Sequence, residues 1–282
     1  MESEDDVPAL PLERYEFSSK DDKRMGQARS RLQRKCMRTL GFDDFPLDPG
    51  FGPLGGARMS ESFTSTMVQV SPYGMLDLDQ ARRWGYGLDP DRAKALEAEL
   101  EPTGRDLTSR EYEALYGPDT GEGGRSVNGR KVPEGGCAAE ATRQTTRGVA
   151  DSGRLWGYVP QRIEKIDKAV AKDARVRKAF RDWSRCVEDK GFKRYGSPAQ
   201  AFRDKAWWKG GEDGNTGRTE RELGTAVADV ECNRKLNTAG VWWSVSNEKQ
   251  REDLRRNRSR YEAVRKDQDR VRAEVRAALG EE

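Results

Sequence analysis

The chain has 282 residues, with 52 Lys and Arg against 49 Asp and Glu, so its formal net charge is +3 although 36% of it is charged. Leu, Ile, Val and Phe supply 45 of the 282 residues. That is a lean supply for a core, but the near-neutral balance lacks the net charge that usually accompanies disorder. The absence of histidine excludes Ser-His-Asp and Cys-His catalysis and removes the commonest metal ligand; no apolar run approaches the ~18 residues of a membrane-spanning helix.

Residues 1–20, opening MESEDDVPALPLERYEF, are acidic and Pro-containing and read as a mobile tail. They read as neither a signal nor a transit peptide, so the chain is expected either to be cytosolic or to have lost a targeting segment. Residues 21–40 read as a helix with Met25, Ala28, Leu32 and Cys36 on one stripe. After a Gly/Pro loop at 46–62 comes FTSTMVQV at 63–70, a β-branched run expected to be a strand. Its mate would be the SVNGRKV hairpin at 126–132, turned at Asn128-Gly129.

Helices are expected at 76–85, at 89–101 with Asp89 as cap and Pro90 in the first turn, and at 107–117 with Thr108 and Glu111 as a capping box. Residues 118–129 read as loop, and Cys137 opens a short helix. A long helical region is expected from Pro160 to Lys190, with Val176, Ala179, Phe180, Trp183 and Val187 as its apolar stripe. The stretches PAQAFRDKAWW and GGEDGNTG lead to a helix capped by Thr219 with Glu222 and ending near Leu236. That helix is apolar on two sides, Leu223, Ala226, Val227 and Val230 opposite Ala228, Cys232 and Leu236, so Cys232 is expected to be internal. The last segment reads as one long helix from about Val241 to Leu279. Leu254, Tyr261, Val264, Val271 and Val275 form a weak coiled-coil seam, with Asn257 and Gln268 in it.

Two stretches, KCMRTLGFDDF at 35–45 and RCVEDKGFKRY at 185–195, share the pattern Cys-x₄-Gly-Phe-x₂-aromatic. Gly41 and Gly191 read as residues that end helices in the left-handed conformation, with Phe42 and Phe192 folding back on the last turn. Each cysteine then lies in a small apolar pocket suited to a buried cystine. Cys36, Cys137, Cys186 and Cys232 allow three pairings. The repeat suggests one bridge in each half, Cys36–Cys137 and Cys186–Cys232. The expected fold is mainly α: an irregular helical domain stapled by two disulfides, with one small β-hairpin and a long C-terminal helix. Its expected parts are a tail at 1–20, helical parts at 21–150 and 151–240, and the helix at 241–282.

The run SPYGMLDLDQARRWGYGLDP at 71–90 is followed by EYEALYGP, GGCAAEA, the pattern W-S-R-C-V-x₃-G-F and TERELGTAVADVEC. Together, over roughly residues 30–255, these motifs resemble a family of actinobacterial extracytoplasmic proteins, many lipoprotein-like or secreted. Their genes often lie near ABC-transporter genes. The resemblance implies outside-facing disulfides and supplies no catalytic residues. This chain departs from the family in lacking a signal or lipobox, which makes a cytoplasmic location the alternative.

Other chemistries have little support. GEGGRSVNG follows no strand and opens no helix, so it reads as a turn rather than a phosphate loop. DGNTGRTERELG fails as a calcium loop, with Arg218 at its sixth position and Gly224 at its twelfth. No activated nucleophile, metal site or cofactor motif is visible. Exposed members of the pairs Trp207/Trp208 and Trp242/Trp243, with Arg255 and Arg256 in the basic run 249–260, are the expected contact residues.

The favoured reading is a non-catalytic accessory or binding protein of the cell envelope, in the setting of an ABC transporter. Its long C-terminal helix would be the contact surface, so that removing residues 256–282 would leave the body folded. It would meet a membrane only through an N-terminal anchor outside this sequence, and nucleic acid is not the expected partner. The alternatives are a cytosolic polyanion-binding protein acting through 249–260 and a carboxylate-based envelope hydrolase.

Overall fold

The computed structural model describes residues 1, 3–50, 71–100, 103–117, 126–209 and 215–281, without the side chains of residues 96, 97, 99 and 100. The expected strand at 63–70 lies outside them, as do residues 51–62, 118–125 and 210–214 of the glycine-rich loops. The described residues are mainly helical. The helices are α1 Ser19–Thr39, α2 Leu78–Trp84, α3 Pro90–Leu100, α4 Ser109–Tyr116, α5 Gly136–Thr145, α6 Ser152–Ala171, α7 Ala174–Asp189, α8 Pro198–Phe202, α9 Glu220–Leu236, α10 Thr238–Arg256 and α11 Arg258–Leu279. Strands β1 Ser126–Val127 and β2 Arg130–Lys131 pair antiparallel, and the turn between them holds Asn128 and Gly129 at φ 52° and 71°, as an Asn-Gly hairpin turn requires.

The contacts gather into two compact units, each built from separated stretches of chain. One comprises Met1–Glu13, Met59–Leu100 and Arg162–Arg256; the other comprises Arg14–Arg58, Glu101–Gln161 and Asn257–Glu282. The units therefore do not follow the segments 21–150, 151–240 and 241–282.

The first unit is organised around α9, which packs on α2 and α7. Ala226, Val230 and Cys232 of α9 join Trp183, Val187, Tyr86, Phe202 and Trp207 in one core. Cys186–Cys232 bridges α7 to α9 with a Cα separation of 5.8 Å. In the second unit α1 packs on α5 and α11. Met37, Leu40, Phe45, Leu115 and Val132 surround Cys137, and Met25, Ala28, Leu155, Val271 and Val275 form a second cluster. Cys36–Cys137 ties α1 to α5 at a Cα separation of 5.7 Å. Both expected bridges are present, one in each unit.

The recurring motif behaves as its residues dictate. The Phe42 and Gly41 N–H groups donate to the Met37 and Arg38 carbonyls at 3.1 and 3.0 Å; those of Phe192 and Gly191 donate to Val187 and Glu188 at 3.3 and 2.8 Å. Gly41 and Gly191 adopt φ 91° and 90°. This is the paired bonding that satisfies the orphan carbonyls of a helix end, and it turns each Phe back beside its cystine.

Three expectations are corrected. The helix expected to begin at Pro160 begins at Ser152, because the Asp151 carboxylate accepts the Arg154 N–H at 2.9 Å and so caps it; Pro160 lies inside α6. The single C-terminal helix is two, divided at Asn257, which leaves the helical region at φ −120°, ψ 27°; asparagine is a weak helix former. The tail expected at 1–20 is anchored. Leu12 and Tyr15 are buried, the Leu12 N–H donates to Gln250 Oε1 at 2.9 Å, and Gln268 Nε2 donates to the Tyr15 carbonyl at 2.7 Å. A few apolar residues in an acidic stretch suffice when each meets a pocket.

Candidate anion-binding site

Helix α1 runs straight through a sequence rich in cations. Between Arg29 and Thr39 it carries five basic residues and no acidic one. Helical spacing puts Arg31, Arg34, Lys35 and Arg38 at i, i+3, i+4 and i+7, hence on one face. The face is closed into a groove by the loop after Gly41. Phe45 buries its ring and thereby fixes the loop, leaving Leu47 at the groove's lip, 45% exposed. Arg31, Arg34, Lys35, Arg38, Thr39 and Leu47 line an open groove of about 610 Å³.

The guanidinium groups are held by backbone oxygens rather than by acids. Arg34 Nε donates to the Phe45 carbonyl at 3.0 Å, Arg38 Nε to the Asp43 carbonyl at 3.1 Å and Arg31 Nη1 to the Leu279 carbonyl at 2.8 Å. Each bond uses one of five donors, so the side chains are oriented and keep further N–H groups for a ligand. Among the described residues no carboxylate pairs with any of these four cations. The negative end of a helix dipole fades within the last turn, which accounts for Arg38 and leaves Arg31, Arg34 and Lys35 unexplained. Asn128 Nδ2 donates to the Leu40 carbonyl at 2.9 Å and Arg130 to the Thr39 carbonyl, so the hairpin caps this end of α1 and adds a cation.

A second, smaller groove of about 260 Å³ opens further up α1. Lys20, Arg24, Arg272 and Arg276 stand over an apolar floor that includes Phe17, Met25 and Val275. Its Asp21 is held by Arg272 at 3.1 Å, which brings the carboxyl down to about 2. Arg24 meets Glu281. Beside it, Phe17 packs against Trp156 with ring centroids 5.2 Å apart, and Trp156 is 42% exposed.

Among the residues expected to make contacts, each tryptophan pair has one buried and one half-buried member, and both arginines are exposed. Trp207 is buried, donating from Nε1 to the Ala201 carbonyl at 2.6 Å, and Trp208 packs half-buried near Phe202. Trp242 is buried against Tyr73 at 5.3 Å, and half-buried Trp243 donates to the Pro8 carbonyl at 2.7 Å. Arg255 is exposed and Arg256 meets Glu252. In the rest of the basic run, Lys249 lies 3.4 Å from Asp173 and Arg258 2.8 Å from Glu262, so acids offset much of its charge. The seam of the final helix is also occupied from within: Tyr261, Val264, Gln268, Val271 and Val275 are buried, which removes the basis for expecting a folded body without residues 256–282.

A different cluster joins three of the distant motif stretches. Asp229 on α9 is fully buried. Its Oδ1 accepts from Trp183 Nε1 at 2.9 Å, and its Oδ2 accepts from the Tyr86 hydroxyl at 3.1 Å. Burial pushes the Asp229 carboxyl up to about 8, against the two hydrogen bonds, and raises the Tyr86 hydroxyl as well. Glu222, also buried, accepts the Tyr86 N–H at 3.1 Å, and Asn233 donates to the Tyr73 carbonyl at 2.6 Å. Gly85, at φ 59°, is required there, since a Cβ would lie 2.7 Å from Glu222 Oε1. Tyr86, Trp183 and Asp229 come from three of the motif stretches. Because all three are sealed from solvent, the cluster reads as a structural polar knot rather than a reaction centre.

Comparison with protein-family models, with curated proteins and with solved structures found no match to this chain. The apolar stripe of helix 21–40 does not disclose the cationic groove on its other side. The run of five basic residues without an acid was the signal.

Proposed function

We propose that this protein is a non-catalytic binding component of an oxidising, extracytoplasmic compartment, and that it captures an anionic partner in the groove formed by Arg31, Arg34, Lys35 and Arg38. The observation that carries this reading is four cations on one helix face, three of them held by backbone carbonyls, with no carboxylate of the described residues to offset them. Oriented guanidinium groups fit phosphate and carboxylate oxygens through parallel N–H donors. The two buried disulfides support the compartment, and an accessory place beside an envelope transport complex follows from the motif resemblance.

The test is a titration with tripolyphosphate at low ionic strength, comparing the native protein with Arg31→Gln/Lys35→Gln, both exposed positions. Binding that weakens steeply with salt and falls about tenfold or more in the double variant is expected. Absence of binding at low salt, or equal affinity of the variant, refutes the reading.

A further inference from the structure

Resting on the reading just given, we infer that the two grooves of α1 are one extended site and that its ligand is a linear phosphate polymer. Lys20, Arg24, Arg31 and Arg38 are spaced 4, 7 and 7 residues apart. At 100° per residue these steps return to within about 40° of the same direction, so the four side chains project from a single face. From Lys20 to Arg38 the face runs about 27 Å along the helix axis. Both cavities open on it, one beside Lys20 and Arg24 and one beside Arg31 and Arg38.

Along α1 the path between them carries no acid, and the end of α11 lies beside it, with the Leu279 carbonyl on Arg31 and Glu281 on Arg24. Residues 25–30 read MGQARS, and exposed Gln27 is the residue on that face. Two acids beside the upper groove are engaged by Arg272: Asp21 and Asp269 are each 3.1 Å from it. The exposed pair of Arg24 with Glu281 is of a kind that contributes little and exchanges for a ligand anion at small cost.

Charge density decides the ligand class. Arg31, Arg34, Lys35 and Arg38 place four charges within about 10.5 Å of axis, about one per 3.5 Å. A phosphodiester strand carries about one charge per 3.4 Å. An extended acidic peptide offers one carboxylate per two residues on a given side, about 6.8 Å apart, and would leave half of these cations unmatched. A single small anion would occupy part of the lower groove and leave the upper one idle.

The experiment uses the intact protein, tripolyphosphate and long-chain inorganic polyphosphate as probes, and two double variants, Lys20→Gln/Arg24→Gln and Arg31→Gln/Lys35→Gln, with circular dichroism to confirm folding. Long chains are expected to bind at least about tenfold tighter than tripolyphosphate, because a second set of contacts on one chain raises the effective concentration. The upper variant should remove most of that advantage while changing tripolyphosphate affinity less than about twofold; the lower variant should weaken both probes. A steeper salt dependence for the long chain is also expected, since more cations are engaged. Equal affinity for the two probes, or an upper variant that weakens both alike, overturns the extended site and leaves the lower groove standing. Failure of both probes at low salt overturns the function itself. Capture by phosphatidylglycerol vesicles with no binding of soluble polyphosphate overturns the linear polymer in favour of a membrane surface.

Discussion

Asp229→Asn should remove one large contribution to the pH dependence of stability. The carboxyl is fully buried and its pKa is raised from an ordinary value of 3.8 to about 8. A group whose folded pKa lies above its unfolded one is protonated in the folded state and ionised in the unfolded state across that window. The unfolded state therefore binds fewer protons, and stability falls as pH rises from about 4 to about 8. At 1.36 kcal/mol per pH unit the full window is worth on the order of 5 kcal/mol. Asparagine keeps the shape and the bonding: its oxygen can accept from Trp183 Nε1, and its NH₂ can donate to the Tyr86 hydroxyl oxygen, which is free to rotate its proton. The variant carries no charge to desolvate, so this contribution to the pH slope disappears. The assay is urea unfolding followed by tryptophan fluorescence at several values between pH 4.5 and 9, with the denaturant slope checked for constancy. Asp167, pushed up to about 6 by burial, titrates in both proteins and cancels in the difference. The variant should gain on the native protein by several kcal/mol between the two ends of the range. Parallel curves would show that Asp229 is not the buried proton-binding group inferred here.

Other expectations follow from the same contacts. Deleting residues 257–282 removes Tyr261, Val264, Gln268, Val271 and Val275 from the core of the second unit, so limited proteolysis should show that unit opened while the first unit's Cys186–Cys232 fragment stays protected; a stable, fully protected truncation would count against the packing. Replacing Cys36 and Cys137 by Ser frees a loop of 101 residues and should cost up to about 4.7 kcal/mol in denaturant unfolding. Because Cys36 sits on the turn that presents Lys35 and Arg38, the same variant should also weaken tripolyphosphate binding; unchanged affinity would separate the bridge from the groove. Gly191→Ala places a Cβ at φ 90° in open space, so its cost is backbone strain alone, about 1 kcal/mol, measurable as a lower unfolding midpoint.

Much of this protein is written locally. Helix caps at Thr108 and Thr219, the Asn128-Gly129 turn and the two Gly-Phe helix ends depend on a few adjacent residues, so composition and spacing determine them. The cystine pairing was legible for the same reason: each Cys-x₄-Gly-Phe places its sulfur in a pocket that the chain itself builds. The cationic face of α1 was also present in the sequence, as a charge count along one helix.

Three-dimensional contact decided the rest. That α9 would bury Glu222, Asp229 and Asn233 on a third face cannot be read from a pattern that gives polar residues to solvent by default; it needs Tyr86 and Trp183 to arrive with matching donors. The fate of Trp242 and Trp243, the anchoring of Leu12 and Tyr15, and the filling of the C-terminal seam depend on partners tens to hundreds of residues away. Periodicity says which face of a helix is apolar. Which surface covers that face, and which cations are left without acids, is set only when distant segments meet.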